Sequence, residues 1–221
     1  MPVASRTRTA HRGPAAPAQL EEADHARLRT LIGLCHRRWS LPILAELQRE
    51  VRPGGGGGAK FVTLANRLGL SRETLRDTLD DLIDHDYLMR NPGVGHPMRP
   101  EYMLTEGGHD MAPHAARIML RLRAGGLEDV GLRKWSLPAL YAIGRGVSRF
   151  GRLKAALPGV TARALTLVLK DLEAAGLVRR TVTDSYPPAV AYAPSKRSHR
   201  IVQALRRLEM RRKGHKGACG V

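Results

Sequence analysis

Cysteines, aromatic residues and long apolar runs are all scarce in this chain of 221 residues. Two cysteines, Cys35 and Cys219, are too few for a disulfide framework, so a reducing cytoplasm is the simplest expectation. No stretch approaches the ~18 apolar residues of a membrane-spanning helix, so no membrane partner is expected. Residues 1–20 contain arginines and prolines but no apolar core, so we do not expect a secretory signal there.

Sequence motifs for metal binding and catalysis are also missing. Nine histidines occur, but none belongs to a Cys-x-x-Cys or His-Glu-x-x-His pattern. The glycine run Gly54–Gly58 lacks the Lys-Ser or Lys-Thr pair that closes a phosphate-binding loop. No Gly-x-Ser-x-Gly motif is present either. We therefore expect no enzymatic activity, no metal and no cofactor.

Acidic residues are few compared with basic ones. The formal net charge is +17, and it is unevenly distributed. Residues 1–123 contain 18 Lys and Arg against 14 Asp and Glu, whereas residues 124–221 contain 19 against 6. A field of this sign attracts polyanions such as nucleic acid, although an arginine-rich proteome would give the same bias. Charge alone therefore favours nucleic acid only modestly.

The chain carries the same signature twice. The segment Arg38–Leu44 returns 96 residues later as Lys134–Leu140, and both tryptophans of the chain lie in these two copies. A second block, residues 69–90, aligns without a gap on residues 159–180. Because two ordered matches in register rarely arise by chance, we interpret the molecule as one small domain that has been duplicated.

Periodicity, caps and composition divide the chain into four segments. Residues 1–19 are rich in Ala, Pro and Arg without periodicity, and we expect a disordered basic arm. The first domain is predicted over residues 20–123 and the second over residues 124–210, followed by a basic flexible tail over residues 211–221. The residues expected to cap helices are Ser40, Ser71, Thr105 and Thr161.

Each copy is predicted to run helix, short helix, turn, long helix and β-hairpin. The turns contain Gly69 and Gly159, as the tight connection of a helix-turn-helix requires, and the hairpin forms a wing. A flexible glycine connector over Gly54–Gly58 interrupts the first copy only. The predicted fold class is mostly α with small β-hairpin wings (α+β), arranged as two tandem winged helix-turn-helix domains that form a pseudo-dimer.

The long helix of the second copy has the pattern of a DNA-reading helix. Its leucines recur at i, i+4 and i+7 and form one apolar stripe. A second stripe, formed by Arg163, Thr166 and Lys170, is displaced by two residues from the leucines. Two residues turn a helix by ~200°, so this stripe points away from the core. Such side chains contact base edges and phosphates in a major groove. Contacts to the DNA backbone are expected from Arg149, Arg152, Thr161, Arg179, Arg180, Lys196 and Arg197.

The corresponding helix of the first copy is less suited to DNA. Its outward positions are Glu73, Arg76 and Asp80, and further aspartates crowd its second half. Since carboxylates repel phosphates, either only its first turn contacts the duplex, at Ser71, Arg72 and Arg76, or the helix has another role. The two copies are therefore predicted to read DNA unequally, with the second copy dominant.

Five motifs follow one another in the second copy, at Lys134–Leu140, Arg149–Leu153, Leu157–Thr161, Leu169–Arg180 and Pro187–Tyr192. In this order they resemble the HxlR-type winged-helix transcriptional regulators, relatives of the MarR group. The similarity covers most of residues 130–207 and, more loosely, residues 33–120. It implies a bacterial, cytoplasmic and nucleoid-associated regulator that binds double-stranded DNA. Such proteins usually dimerise, so a fused pair implies a monomeric pseudo-dimer, and a homodimer of the chain stays open.

Several members of that family sense oxidants through a Cys ahead of the first helix. No Cys occurs in residues 1–34, and Cys35 lies on an apolar helical stripe, so a redox switch is not expected. Two alternatives to direct regulation through DNA stay open. The acid-rich first copy could dock a basic protein partner, or a pocket between the copies could bind a small-molecule effector.

Overall fold

The computed structural model describes residues 20–52, 57–91, 100–183 and 189–208. The predicted arm, the tail and the two expected hairpin tips lie outside the described residues. As predicted, the described chain is mostly helical with two small antiparallel sheets. The helices are α1 (Glu22–Leu34), α2 (Ser40–Gln48), α3 (Phe61–Leu68), α4 (Arg72–Asp84), α5 (Glu106–Gly125), α6 (Glu128–Gly131), α7 (Ser136–Gly144), α8 (Phe150–Ala156), α9 (Ala162–Ala174) and α10 (His199–Arg206). The strands are β1 (Gly58–Lys60), β2 (Leu88–Asn91), β3 (Glu101–Leu104), β4 (Val178–Thr183) and β5 (Ala189–Pro194).

The first half of the described chain runs from α2 through β1, α3, α4, β2 and β3 to α5. Strands β2 and β3 form the predicted hairpin, with Leu88 opposite Leu104 and Asn91 opposite Glu101. Strand β1 pairs with the other edge of β3, which the sequence does not predict. The sequence predicts a flexible connector at Gly58, but Gly58 belongs to this strand. The prediction is wrong there because a glycine-rich composition cannot reveal a pairing partner 45 residues away.

The second half runs from α7 through α8, α9, β4 and β5 to α10. Strands β4 and β5 pair from Val178 opposite Pro194 to Thr183 opposite Ala189. Where the first half has β1, the described residues here show one isolated bridge between Arg149 and Ala191. The predicted order of helix, short helix, long helix and hairpin is therefore present in both halves.

Side-chain caps begin three of the predicted helices. The Ser71 hydroxyl accepts a hydrogen bond from the Thr74 amide at 3.2 Å at the start of α4. The Thr161 hydroxyl accepts one from the Ala164 amide at 3.1 Å at the start of α9, and Thr105 caps α5 in the same way. These three caps confirm the predicted helix starts, each satisfying an amide that has no partner within the helix.

The predicted cap at Ser40 is wrong. Trp39, the residue before it, already has helical backbone angles (φ −97°, ψ −2°), so Ser40 lies inside α2. Its hydroxyl is buried and has no hydrogen-bond partner within the described part of the chain, and Ser136 in α7 is in the same situation. Trp39 and Trp135 pack against the core, as expected of anchors.

One continuous hydrophobic core connects the two halves. Helix α5 packs along α2 in the first half and also contacts α10 of the second half. Helix α1, which precedes the first half in sequence, packs against α7 of the second half. The first and last helices therefore bury their apolar faces across the junction, and the two halves are packed together rather than separated by a linker.

A buried carboxylate joins α1 to α7. Asp24 is only 2% exposed and accepts hydrogen bonds from the Tyr141 hydroxyl and Arg145 Nε, both at 2.8 Å. Arg27 lies 3.5 Å from the same carboxylate. Burial alone would raise the pKa of Asp24, but these hydrogen bonds and positive charges together lower it below its ordinary value. Asp24 therefore stays ionised and binds the first helix to the second half.

Candidate nucleic-acid interface

Helix α9 separates its apolar and polar side chains as the sequence predicts. Arg163, Thr166 and Lys170 are all exposed, which confirms their outward orientation. The buried side of the helix consists of Leu165, Val168, Leu169 and Leu172. A helix held to its domain by this stripe presents a cationic and hydrogen-bonding surface to solvent.

One exposed leucine lies in the middle of that surface. Leu167 is 53% exposed, four residues after Arg163 and three before Lys170, so it lies beside both on the helix surface. Leu167 is not predicted as a surface residue from the sequence, because one more leucine in a leucine-rich helix indicates the core. Its helical spacing from the two cations is the signal that could have identified it. The Thr166 hydroxyl, next to it, donates to the Ala162 carbonyl at 2.9 Å and keeps acceptor capacity.

The start of α8 lies against the hairpin of the second half. The Tyr192 amide donates to the Ser148 carbonyl at 2.8 Å, and Arg149 bridges to the neighbouring residue of β5. Arg180 lies opposite Tyr192 on β4. Arg149, Arg152 and Arg180 are exposed. Three of the residues predicted to contact the DNA backbone therefore lie on neighbouring elements, α8 with its start and the hairpin.

Three other predicted contacts lie at the opposite end of α9. The 13 residues of the helix span ~20 Å, and Arg179, Lys196 and Arg197 surround its C-terminal end. The Arg197 guanidinium donates to the Ala175 carbonyl and to the Gly125 carbonyl, both at 3.0 Å. Arg197 thereby links the C-terminal ends of α9 and α5.

Helix α4 has a different surface. The predicted contacts Ser71, Arg72 and Arg76 are exposed at its first turns. Its exposed acids are Glu73, Asp77, Asp80 and Asp84. Arg37 lies 3.3 Å from Asp77, an ion pair whose partners are both half exposed. Beyond its first turns, the outward side of α4 is therefore acidic.

The described part of the chain contains one free cysteine, Cys35. Cys35 is buried, and burial raises the pKa of its thiol to about 12, so the reactive thiolate is strongly disfavoured. Cys219 lies outside the described residues. No group of His, Cys, Asp and Glu suited to hold a metal occurs within residues 20–52, 57–91, 100–183 and 189–208. None of the helices described there has the length and apolar character needed to cross a membrane.

The second half is similar in sequence to known proteins. The profile of the HxlR-like helix-turn-helix family matches residues 130–216. An HTH-type transcriptional regulator of Synechocystis sp. is 39% identical over 72 residues, which cover 33% of this chain and 53% of the relative. The HTH-type transcriptional regulator YkvN of Bacillus subtilis is 33% identical over 75 residues, covering 34% of this chain and 64% of the relative.

The matches cover only part of each protein. The chain spans about half the length of a further relative in Methanothermobacter thermautotrophicus, 55%, at 32% identity. No solved structure matches the chain significantly. The family is described as a helix-turn-helix family, and these relatives are named as transcriptional regulators. Over residues 130–216, the chain contains a helix-turn-helix domain of the HxlR-like family.

Proposed function

We propose that the chain is a transcriptional regulator that binds double-stranded DNA sequence-specifically, with α9 in the major groove. One observation carries this proposal: α9, inside the HxlR-like domain, turns Arg163, Leu167 and Lys170 to solvent while leucines hold its other side. An arginine can donate two hydrogen bonds to a guanine edge, and an apolar side chain can contact a thymine methyl group. Lys170 adds charge for a phosphate or a base acceptor.

Contacts to the sugar-phosphate backbone come from neighbouring elements in this proposal. Arg149 and Arg152 of α8 and Arg180 of β4 are exposed cations next to the hairpin. The first turn of α9, capped by Thr161, has amides that can face a phosphate. These contacts fix the orientation of α9 and make the affinity depend on salt.

Arg179, Lys196 and Arg197 are not assigned as primary DNA contacts. They surround the end of α9 that is ~20 Å from its capped first turn, and Arg197 is already hydrogen-bonded to two carbonyls. Their contact with the duplex stays a prediction, which the DNA affinity of the variant R179Q/K196Q tests.

We further propose that two diverged winged-helix domains, residues 20–123 and 124–210, form a pseudo-dimer within one chain. The repeated signature, the same order of elements in both halves and the shared core support this arrangement. Two reading helices would address half-sites about 10 bp apart, and the acidic α4 makes an asymmetric operator the expected target. The exposed acids of α4 also suit a basic protein partner, which is the second candidate role of the first domain.

Selection of bound sequences from a random DNA pool by the full chain, at stated salt, tests the proposal. One motif should be enriched, and Arg163→Ala should cost ~1–3 kcal/mol at one base position. Arg207→Ala removes another exposed arginine, directly after α10, and should change neither affinity nor motif. Equal loss at every position would contradict the role of Arg163. A pool without enrichment would contradict sequence-specific binding itself.

A further inference from the structure

A groove opens at the C-terminal end of α9, away from its capped first turn. It lies between the base of the β4–β5 hairpin, the end of α7 and one side of α10. Its volume of about 700 Å³ is in the range of small-molecule sites, and Val202 and Pro194 give it apolar patches. The polar side chains around it are Arg179, Ser195, Lys196, Arg197, His199, Gln203 and Arg206.

Four of these side chains are cations, and none of the described residues that line the groove is acidic. The side chains of Arg179 and Lys196 have no hydrogen bond or ion pair with any other described residue. Among the described residues, Arg197 and Arg206 donate only to backbone carbonyls at the ends of α5, α7 and α9, which orient the guanidinium groups without neutralising them. By contrast, Arg145 at the junction of the two halves is paired with a carboxylate. Uncompensated like charges around a concavity favour a bound anion.

We propose that this groove binds a small phosphorylated molecule. The Arg179 guanidinium has the planar fork that matches two phosphate oxygens, and Lys196 supplies a second charged donor. His199, in the first turn of α10, adds a ring nitrogen within the same lining. The apolar patches of Val202 and Pro194 accommodate the organic part of such a ligand.

The phosphates of DNA share this chemistry, but the position of the groove favours a small ligand. It lies ~20 Å along α9 from the turn that Thr161 caps, whereas the DNA-reading side chains begin at that turn. It is also a concave site bordered by three elements, the hairpin base, α7 and α10. Lys196 is adjacent to Arg197, which links α9 to α5 through the Ala175 and Gly125 carbonyls. Ligand binding in the groove does not depend on DNA binding by α9.

Isothermal titration of inorganic pyrophosphate into the full chain tests the proposal, with chloride at matched ionic strength as the reference. The variant R179Q/K196Q removes the two cations that have no protein partner. The control variant R200Q/R207Q removes the same charge from two exposed positions outside the groove, one in α10 and one directly after it. The wild type and the control should bind saturably, and R179Q/K196Q should bind at least about tenfold more weakly, because it loses charge-assisted hydrogen bonds.

Two results would overturn the proposal: no saturable binding by the wild type beyond the chloride reference, or equal binding by R179Q/K196Q. DNA affinity measured in parallel distinguishes the two phosphate sources. If R179Q/K196Q binds pyrophosphate as the wild type does but binds every DNA sequence more weakly, the duplex backbone occupies the groove and the proposal is wrong. Thermal melting checks the fold, and Lys196→Gln alone repeats the comparison if the double variant melts at a lower temperature.

Discussion

Helices α4 and α9 are alike on their buried sides and opposite on their exposed sides. Both have 13 residues, a hydroxyl cap and a buried stripe of leucines. Their corresponding outward residues are Glu73 and Arg163, Arg76 and Thr166, Asp77 and Leu167, and Asp80 and Lys170. Packing constrains a core position to a narrow set of side chains, whereas a solvated position tolerates a change of charge. The buried sides therefore preserve the fold, and function can diverge only on the exposed sides.

An ion pair shows how this divergence changes one exposed position. Arg37 precedes α2 and pairs with Asp77, whereas the corresponding Arg133 precedes α7 and pairs with Asp171. Asp171 corresponds to Asp81, one helical turn further along than Asp77. Arg133 therefore pairs with α9 one helical turn further along than Arg37 pairs with α4. The position in α9 that corresponds to Asp77 takes no part in this ion pair and carries the exposed Leu167. The second half thus has an exposed apolar side chain between Arg163 and Lys170 on the outward surface of α9.

The largest expected effect comes from breaking the junction between the two regions. Asp24→Ala removes the carboxylate that holds the Tyr141 hydroxyl and Arg145, and leaves both without this partner. Loss of one member of a buried ion pair should lower the free energy of unfolding by about 3 kcal/mol. Urea unfolding of the full chain, followed by circular dichroism, measures this change. A single transition that moves as a whole is expected, because both halves share one core.

The control and the pH dependence sharpen this prediction. Asp80→Ala changes an exposed acid of α4 and should leave the free energy of unfolding within about 0.5 kcal/mol of the wild type. Because the pKa of Asp24 is lowered in the folded chain, its stabilisation is fully present above the unfolded-state pKa and is lost as pH falls through the lower folded value. Asp24→Asn should weaken that acid-dependent loss. Two separate transitions in the wild type would show that the halves unfold independently.

The junction is also where prediction from sequence ends. The repeat, the caps at Ser71 and Thr161, both hairpins and the outward stripe of α9 follow from local spacing, which the sequence displays directly. The contact of Asp24 with Tyr141 joins residues 117 positions apart, and no local pattern predicts it. Strand β1 is hidden for the same reason, since its partner is β3 across the α3–α4 pair. The basic groove likewise combines residues from three separate segments of the chain.

A charge transplant tests whether surface charge alone distinguishes the two reading helices. Glu73→Arg with Asp80→Lys gives α4 the cations that α9 has at the corresponding positions. If the scaffold of the first domain can approach the duplex, affinity for the selected operator should rise about tenfold. The slope of log affinity against log salt should become steeper by about two. Fluorescence anisotropy over a salt series measures both quantities.

The matched control places the same charge change elsewhere. Glu21→Arg with Glu22→Lys alters two exposed residues at the start of α1, where the ion pair of Glu22 with Arg29 is fully at the surface and contributes little. If this control gains as much affinity as the α4 variant, the gain reflects net charge and not the position of α4. If neither variant gains affinity, α4 does not reach DNA, and its acidic surface is better explained by a protein partner.

The smallest expected effect concerns Leu167, where α9 has an apolar side chain and α4 has Asp77. If Leu167 contacts a thymine methyl group, Leu167→Ala should cost about 0.5–1 kcal/mol, roughly one buried methylene, at one thymine of the operator. Replacing that thymine by uracil removes the methyl group and should cost the wild type a similar amount of binding free energy. The same replacement should cost Leu167→Ala almost nothing, because the variant lacks the side chain that contacts the methyl group. Leu120→Ala, at a position 59% exposed on α5, should leave binding to both DNAs unchanged. An equal loss on thymine and uracil DNA would show that Leu167 supports the shape of α9 without reading a base.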